Sequence, residues 1–295
     1  MKTLVLGGTG MLGHKMHEIL TREHEVVSTT RSPLADLPVD PGPFFAAGRV
    51  IEAVDATDIA LVERLLDEIM PEAVLNCIGV IKQRDTARDP TTSIAVNALL
   101  PHQLASLCAE RDVRLIHFST DCVFSGSTGD YSEDDVSDAV DMYGRTKYLG
   151  EVADGRALTI RSSIIGRELD HFQSLVEWFL SQRGEIRGFT RAIYTGVTTI
   201  EMARIVGTLL TEHPDLTGVY QVASPKISKY ELLVKMRDAF AMQSEVEVVP
   251  FDDFACDRSL RGDRFVQATG MTVAPWDDML EELSAEASRY GRVTK

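Results

Sequence analysis

Thr3-Leu4-Val5-Leu6-Gly7-Gly8-Thr9-Gly10-Met11-Leu12-Gly13 stands at the head of a chain of 295 residues. The run Thr3–Leu6 is apolar and bounded by glycine, the pattern of a buried strand. Helical periodicity begins at Met11 and continues to Leu20. Between them the glycines at 7, 10 and 13 form G-x-x-G-x-x-G. Gly7 and Gly10 permit a tight turn and let backbone approach a pyrophosphate seated on the helix N-terminus. Gly13 allows the helix to pack closely on the strand. A strand, a glycine loop and a helix in this order mark a dinucleotide-binding unit. Gly7, Gly10, Met11, Leu12 and Gly13 are its expected cofactor contacts.

The same alternation continues outward. Strands are expected over Glu25–Thr29, Ala73–Cys77, Arg114–Phe118 and Ala157–Arg161, with a third-position strand closing at Val54-Asp55-Ala56. Helices are expected over Asp58–Met70 and Ser93–Glu110, followed by one carrying Tyr143 and Lys147. Apolar runs alternating with amphipathic helices mean βαβ units and a parallel sheet covered on both faces. The predicted fold class is α/β, a Rossmann-type doubly wound parallel sheet with a smaller mixed α/β lobe toward the C-terminus. The rhythm changes after Gly166: helices are expected over Phe172–Leu180, Thr199–Leu210, Lys229–Met242 and Trp276–Leu283, and strands over Gly218–Val222 and Val246–Pro250. The expected division is a dinucleotide-binding domain over 1–166, returning at about 193–223. A substrate-binding lobe takes 167–192 and 224–295.

Composition narrows the function. A net charge of -15 gives little attraction for nucleic acid or an anionic membrane, so neither is an expected partner. A phosphate-bearing ligand must then be held by local basic residues. Cys77, Cys108, Cys122 and Cys256 form no CxxC pair and read as reduced thiols. No apolar run approaches the ~18 residues of a membrane span, and the N-terminal run is too short for a secretion signal, so the expected location is cytoplasmic. His14 and His17 make the only histidine pair, and no metal site is predicted.

Two further stretches bear on chemistry. An NAD-preferring site carries an acidic residue at the end of the second strand. Here that end reads Ser28-Thr29-Thr30-Arg31-Ser32. Arg31 and Ser32 suit a 2′-phosphate, so NADP(H) is the preferred cofactor, with NAD(H) possible. Asp55 either reaches the adenine edge or caps the next helix. Tyr143 and Lys147, four apart, share one helix face. A phenol titrates near pH ~10, and a neighbouring ammonium draws that value down. With a hydroxyl from Thr120 on a carbonyl oxygen, this is equipment for ketone reduction or alcohol oxidation beside a nicotinamide.

Gly7–Gly13, Ser119-Thr120-Asp121-Cys122-Val123-Phe124 and Tyr143-Gly144-Arg145-Thr146-Lys147 together resemble the extended short-chain dehydrogenase/reductase family. Within it the chain is most similar to the dTDP-4-dehydrorhamnose reductase branch. The resemblance implies that Thr120, Tyr143 and Lys147 are catalytic, that Lys147 also holds the nicotinamide ribose, and that Tyr143 delivers the proton. It places Cys77, Ile78 and Gly79 beside the cofactor, with Asn97 either there or buried and bonded to backbone. It implies reduction of the 4-keto group of a nucleotide-diphosphate 6-deoxyhexose, in deoxysugar biosynthesis, by a chain that can form a homodimer. Substrate contacts are expected from Lys82, Cys122, Phe124, Arg167, Arg191 and Arg258. Gln83, Arg84, Arg187, Lys226, Arg261 and Arg264 are further candidates. Cys122 stands where this branch has tyrosine. A thiol there opens an epimerase or epimerase-reductase reading, with His171 as its partner. A non-catalytic NADP-binding regulatory subunit is a third reading.

Overall fold

The computed structural model describes residues 1–80 and 89–291. Strands β1 (Lys2–Leu6), β2 (Glu25–Thr29), β3 (Arg49–Ile51), β4 (Ala73–Asn76), β5 (Arg114–Ser119) and β6 (Ala157–Arg161) all pair in parallel. β7 (Ile164–Ile165) pairs with β9 (Val197–Thr198) beside this sheet. β8 (Gly184–Tyr194) leaves it, and β10 (Gly218–Gln221) returns to pair with β6. The central sheet has the order β3-β2-β1-β4-β5-β6-β10. Strand order therefore reverses between β1 and β4, where a crevice opens outside the carboxyl ends of the strands. β11 (Ile227–Ser228) and β12 (Val246–Asp257) flank β8 in a second, three-stranded mixed sheet.

The helices are α1 (Gly13–Leu20), α2 (Ile59–Ile69), α3 (Pro90–Ser93), α4 (Leu100–Glu110), α5 (Met142–Leu149), α6 (Leu175–Leu180), α7 (Thr199–Thr211), α8 (Lys229–Ala239), α9 (Asp263–Thr269) and α10 (Trp276–Ala285). Successive strand residues point to opposite faces. Val5 joins Met16, Leu20, Val206 and Leu209 in a core under α1 and α7, while Leu4 and Leu6 join Val62, Leu66 and Leu104 under α2 and α4. The first of these cores runs on beneath the second sheet through Ile186, Leu232, Met236 and Trp276.

Three expectations are corrected. The third strand is Arg49–Ile51, not Val54–Ala56. Asp55 lies in a turn, where its carboxylate accepts from the Thr57 N–H (2.9 Å) and hydroxyl (2.7 Å), and Asp58 is the residue that caps α2. The helix expected over 93–110 widens into a π turn at Ile94–Leu99. Pro101 has no N–H for the Asn97 carbonyl, a local cause of such widening. The strand expected over Val246–Pro250 continues to Asp257 through a bulge after Phe251, because β8 runs alongside it for eleven residues.

A Cβ on Gly13 would sit on the Gly7 carbonyl oxygen, so this glycine sets the approach of α1 to β1. Gly13→Ala should lower stability by about 1–3 kcal/mol, as overpacking at rigid backbone does. Urea unfolding reads this directly, and an unchanged midpoint would contradict the close seating.

Candidate active site

Parallel pairing brings the carboxyl ends of β1, β2, β4 and β5 to one edge. The glycine loop leaves β1 there, closed by Gly10 N–H to Gly7 O (3.0 Å) and Gly8 N–H to Thr29 O (2.8 Å). Gly7 has φ of 83°, which L side chains rarely adopt. No side chain caps α1, and its first turn holds no acid. The His14 N–H is taken by Gly10 O (3.1 Å) and the Met16 N–H by Leu12 O (3.0 Å), so what favours an anion here is the positive end of the helix with no acid in its first turn. Leu12 is buried behind the loop and Met11 half-buried beside it. Cys77, Ile78 and Gly79 follow β4 across the crevice, with Ile78 against Gly7. Arg31 and Ser32 are exposed just past β2. Asp55 is exposed too. Hydrogen bonds from Thr57, then the Arg31 charge, hold its carboxyl below the usual range.

Thr120 follows β5 directly and caps the turn Asp121–Val123, accepting from the Cys122 N–H at 3.1 Å. Its hydroxyl lies 3.0 Å from Asp121 Oδ1. Asp141 caps α5, accepting from Gly144 N–H at 2.8 Å. The helix then lies directly on the Cys122 carbonyl, because a Cβ at Gly144 would overlap that oxygen. Tyr143 is thereby held beside Cys122 and Thr120. Burial raises its phenol above the ordinary value, the Cys122 thiol adds to this, and the Thr120 hydroxyl opposes it. The phenol is thus raised, not lowered as the spacing to Lys147 predicts, and it is protonated at neutral pH. Lys147 Nζ donates to Phe118 O at 2.5 Å. Burial pulls its ammonium down to about 8, with Glu151 opposing.

The remaining candidates divide. Asn97 is fully buried and clamps Val80, accepting from its N–H (2.9 Å) and donating to its carbonyl (3.0 Å). It shapes the crevice wall rather than facing the crevice. Cys122 lies at the site with its Sγ 3.7 Å from Arg258 Nη1, and burial pushes the thiol up to about 12. That is a poor acid–base group at neutrality, and the other half of the epimerase reading fares no better: His171 is exposed and paired with Asp170. Arg258 reaches the site from beyond β12, anchored on Phe124 O at 2.9 Å. Phe124 itself is buried and stacked on Tyr131 at 4.1 Å. Arg167 is withdrawn from the site: its side chain, 3% exposed, pairs with Glu177 at 2.7 Å and lies over the Tyr290 ring. Arg191 is exposed on β8. Arg261 and Arg264 pair with Asp263 and Asp134. Lys82, Gln83 and Arg84 lie outside the described residues.

Sequence reasoning missed two groups. His117 on β5 has Nε2 3.5 Å from Lys147 Nζ. Its signal was a lone imidazole inside an apolar strand. Lys229 opens α8 with Nζ 4.7 Å from the Tyr194 ring centre. Burial draws its ammonium down while Asp121 and Cys122 oppose. Its signal was a cation at the positive end of a helix, where cations are disfavoured. His14 and His17, by contrast, are structural: His14 bonds Gly10 O and Tyr290, and His17 bonds Ser28 and Ala47 O.

A doubly wound parallel sheet whose carboxyl edge joins a glycine loop to Thr120, Tyr143 and Lys147 defines a protein of the extended short-chain dehydrogenase/reductase class. Residues 1–288 match the family described as the RmlD substrate binding domain, and the chain belongs to it. The chain is 32% identical over 238 residues to a probable low-salt glycan biosynthesis reductase of Haloferax volcanii, a match covering 76% of this chain and 75% of that one. It is 32% identical over 152 residues to a dTDP-4-keto-6-deoxy-D-glucose reductase of Streptomyces niveus, covering 51% of this chain and 46% of the relative. A crystal structure of dTDP-4-dehydrorhamnose reductase from Bacillus anthracis in complex with NADP shares the fold, with a TM-score of 0.78 over 97% of this chain and 99% of that one at 20% identity.

A buried lysine held near 8 disfavours folding below that value. Between about 8 and its ordinary 10.5 the unfolded chain binds the proton and the folded chain does not, so this group's contribution to stability rises with pH across that window. Lys147→Met should therefore stabilise the fold at pH 7 by about 1–3 kcal/mol and flatten the rise from pH 8 to 10. Urea unfolding across pH measures both, and a less stable variant at pH 7 would refute the argument.

Proposed function

We propose that this chain reduces the 4-keto group of a nucleotide-diphosphate 6-deoxyhexose with NAD(P)H, a step of deoxysugar biosynthesis. The observation that carries this reading is Tyr143 beside the Thr120 hydroxyl, on the same sheet edge as the glycine loop, in a setting whose burial keeps the phenol raised. The loop fits a dinucleotide: a side chain at Gly7 or Gly13 would fill the cradle, and the α1 N-terminus carries no competing acid. Arg31, exposed beside it with no carboxylate closing β2, favours a 2′-phosphate and hence NADP(H). Bound there, the reduced nicotinamide supplies the hydride. Thr120 turns its O–H from Asp121 Oδ1 to the keto oxygen, holds it by a hydrogen bond and polarises the carbonyl. As hydride reaches carbon, the Tyr143 phenolic proton passes to that oxygen, giving a secondary alcohol and a phenolate. Lys147 stabilises the phenolate and steadies the ribose.

The segments 167–192 and 224–295 are assigned to the substrate. Arg258 is the cation best placed for its phosphates, since among the described residues no carboxylate pairs with it. The four unpaired thiols suit a reducing cytoplasm. Among the described residues no helix is long and apolar enough to cross a membrane. Homodimerisation belongs to the same reading. Ile94, Leu99, Tyr148 and Leu149 leave large apolar side chains exposed on adjoining helical segments. Sedimentation should give a dimer that Leu149→Glu dissociates, and a monomeric wild type at micromolar concentration would remove this part.

Oxidation of NADPH followed at 340 nm, a wavelength read at about the nicotinamide maximum, tests the reaction on a dTDP-4-keto-6-deoxyhexose. Tyr143→Phe should lower kcat by about 10²–10⁴-fold, the usual worth of a positioned acid, with NADPH affinity unchanged. Full activity in that variant would rule the mechanism out.

A further inference from the structure

Behind the reactive pair lies a buried polar row that the reduction itself does not use. Asn76 ends β4 and His117 stands opposite it in register on β5. Both are essentially sealed from solvent, at 1% and 0% exposure. Asn76 Nδ2 lies 3.1 Å from His117 Nδ1, and His117 Nε2 lies 3.5 Å from Lys147 Nζ. The Asn76 amide has its orientation set from the other side, because its Oδ1 accepts from the Ile78 N–H at 3.2 Å. Turning it round would strand that N–H, next to the glycine loop, without an acceptor. Nδ2 is therefore the atom that meets the imidazole, and it can only donate.

A donor aimed at Nδ1 requires that nitrogen to be bare. The proton of a neutral imidazole then sits on Nε2, facing Lys147. An ammonium has three donors and no acceptor, so it gains nothing from an N–H pointed at it. An uncharged amine can accept that N–H through its lone pair while still donating to Phe118 O. We propose that Asn76 and His117 are positioning residues that hold an N–H on Lys147, favouring its uncharged form and tying its protonation to the segment that flanks the dinucleotide loop. This rests on the reductase reading only for its kinetic consequence.

The other charged groups around Lys147 are consistent with such a balance. Glu151, just past α5, pulls it toward the charged form but is itself engaged by Arg161 at 2.8 and 2.7 Å and by Ser119 at 2.7 Å. His102 on α4 opposes a charge on His117, as Lys147 does, and Tyr143 stands one turn before Lys147. Burial first, then the Lys147 and His102 charges, drive His117 well below its ordinary value, so it stays neutral.

Long-range proton–nitrogen correlation NMR on the full chain at pH 7, with His117→Gln to assign the signals, reads the tautomer without turnover. A bare Nδ1 and protonated Nε2 are expected. The opposite tautomer or an imidazolium would overturn the proposal whatever the enzyme's substrate. The kinetic arm uses Asn76→Asp, nearly isosteric, whose carboxylate keeps the Ile78 N–H bond and demands a proton on Nδ1. Nε2 then becomes an acceptor for the ammonium. The alkaline limb of the kcat profile, expected near pH 8 in the parent, should move up by about one unit or more. His117→Gln, whose carboxamide oxygen can also accept from the ammonium, should move the limb the same way and serves if the aspartate variant does not fold. A merely structural role would lower kcat at every pH and leave the limb in place, which would also overturn the assignment.

Discussion

Parallel pairing of β1, β4 and β5 is the constraint on which the site depends. Because every strand of the central sheet runs the same way, the loops that leave their carboxyl ends share one edge. The reversal of order between β1 and β4 parts those loops and makes the crevice. Gly7 to Gly13 lies on one side of it and Thr120 on the other. The close seating of α1 on β1 and of α5 on the Cys122 carbonyl, both through glycine, then sets the spacing. A side chain at either contact would move a helix that carries or faces the chemistry.

Burial does the electrostatic tuning within that frame. The chain carries a net charge of -15, yet cations gather where the substrate is assigned: Lys147, Lys229 and Arg258 surround the Thr120 turn. Burial works in opposite senses on an acid and a base. It keeps Tyr143 protonated and makes Lys147 a weaker base. Both shifts come from removing water, and the Thr120 hydroxyl beside Tyr143 and the Phe118 carbonyl that accepts from Lys147 decide what replaces it.

The parts legible in the sequence were those written in contiguous residues. The glycine spacing, the alternation of strands and helices, and the Tyr143/Lys147 pair depend on neighbours within a few positions. β3 was misplaced because Asp55 and Thr57 form a turn that only hydrogen bonding reveals. The arginines were harder still. Arg167 and Arg258 look alike as residues, but one is enclosed with Glu177 against Tyr290 while the other is carried to Cys122 from beyond β12.

The sequence by itself determined the doubly wound sheet, the glycine loop after β1 and the placing of Tyr143 and Lys147 on one helix face. Each follows from local backbone freedom, hydrophobic period or side-chain spacing, which a linear chain carries in full. Only the tertiary structure decided which charges face the crevice, that the Tyr143 phenol is raised rather than lowered, and that Asn76 and His117 stand behind Lys147. Those depend on burial and on partners 29 to 136 residues apart along the chain, such as Phe118 with Lys147, Asn76 with His117 and Cys122 with Arg258. Such separations leave no periodic trace in a sequence, and they become contacts only when the sheet closes its register.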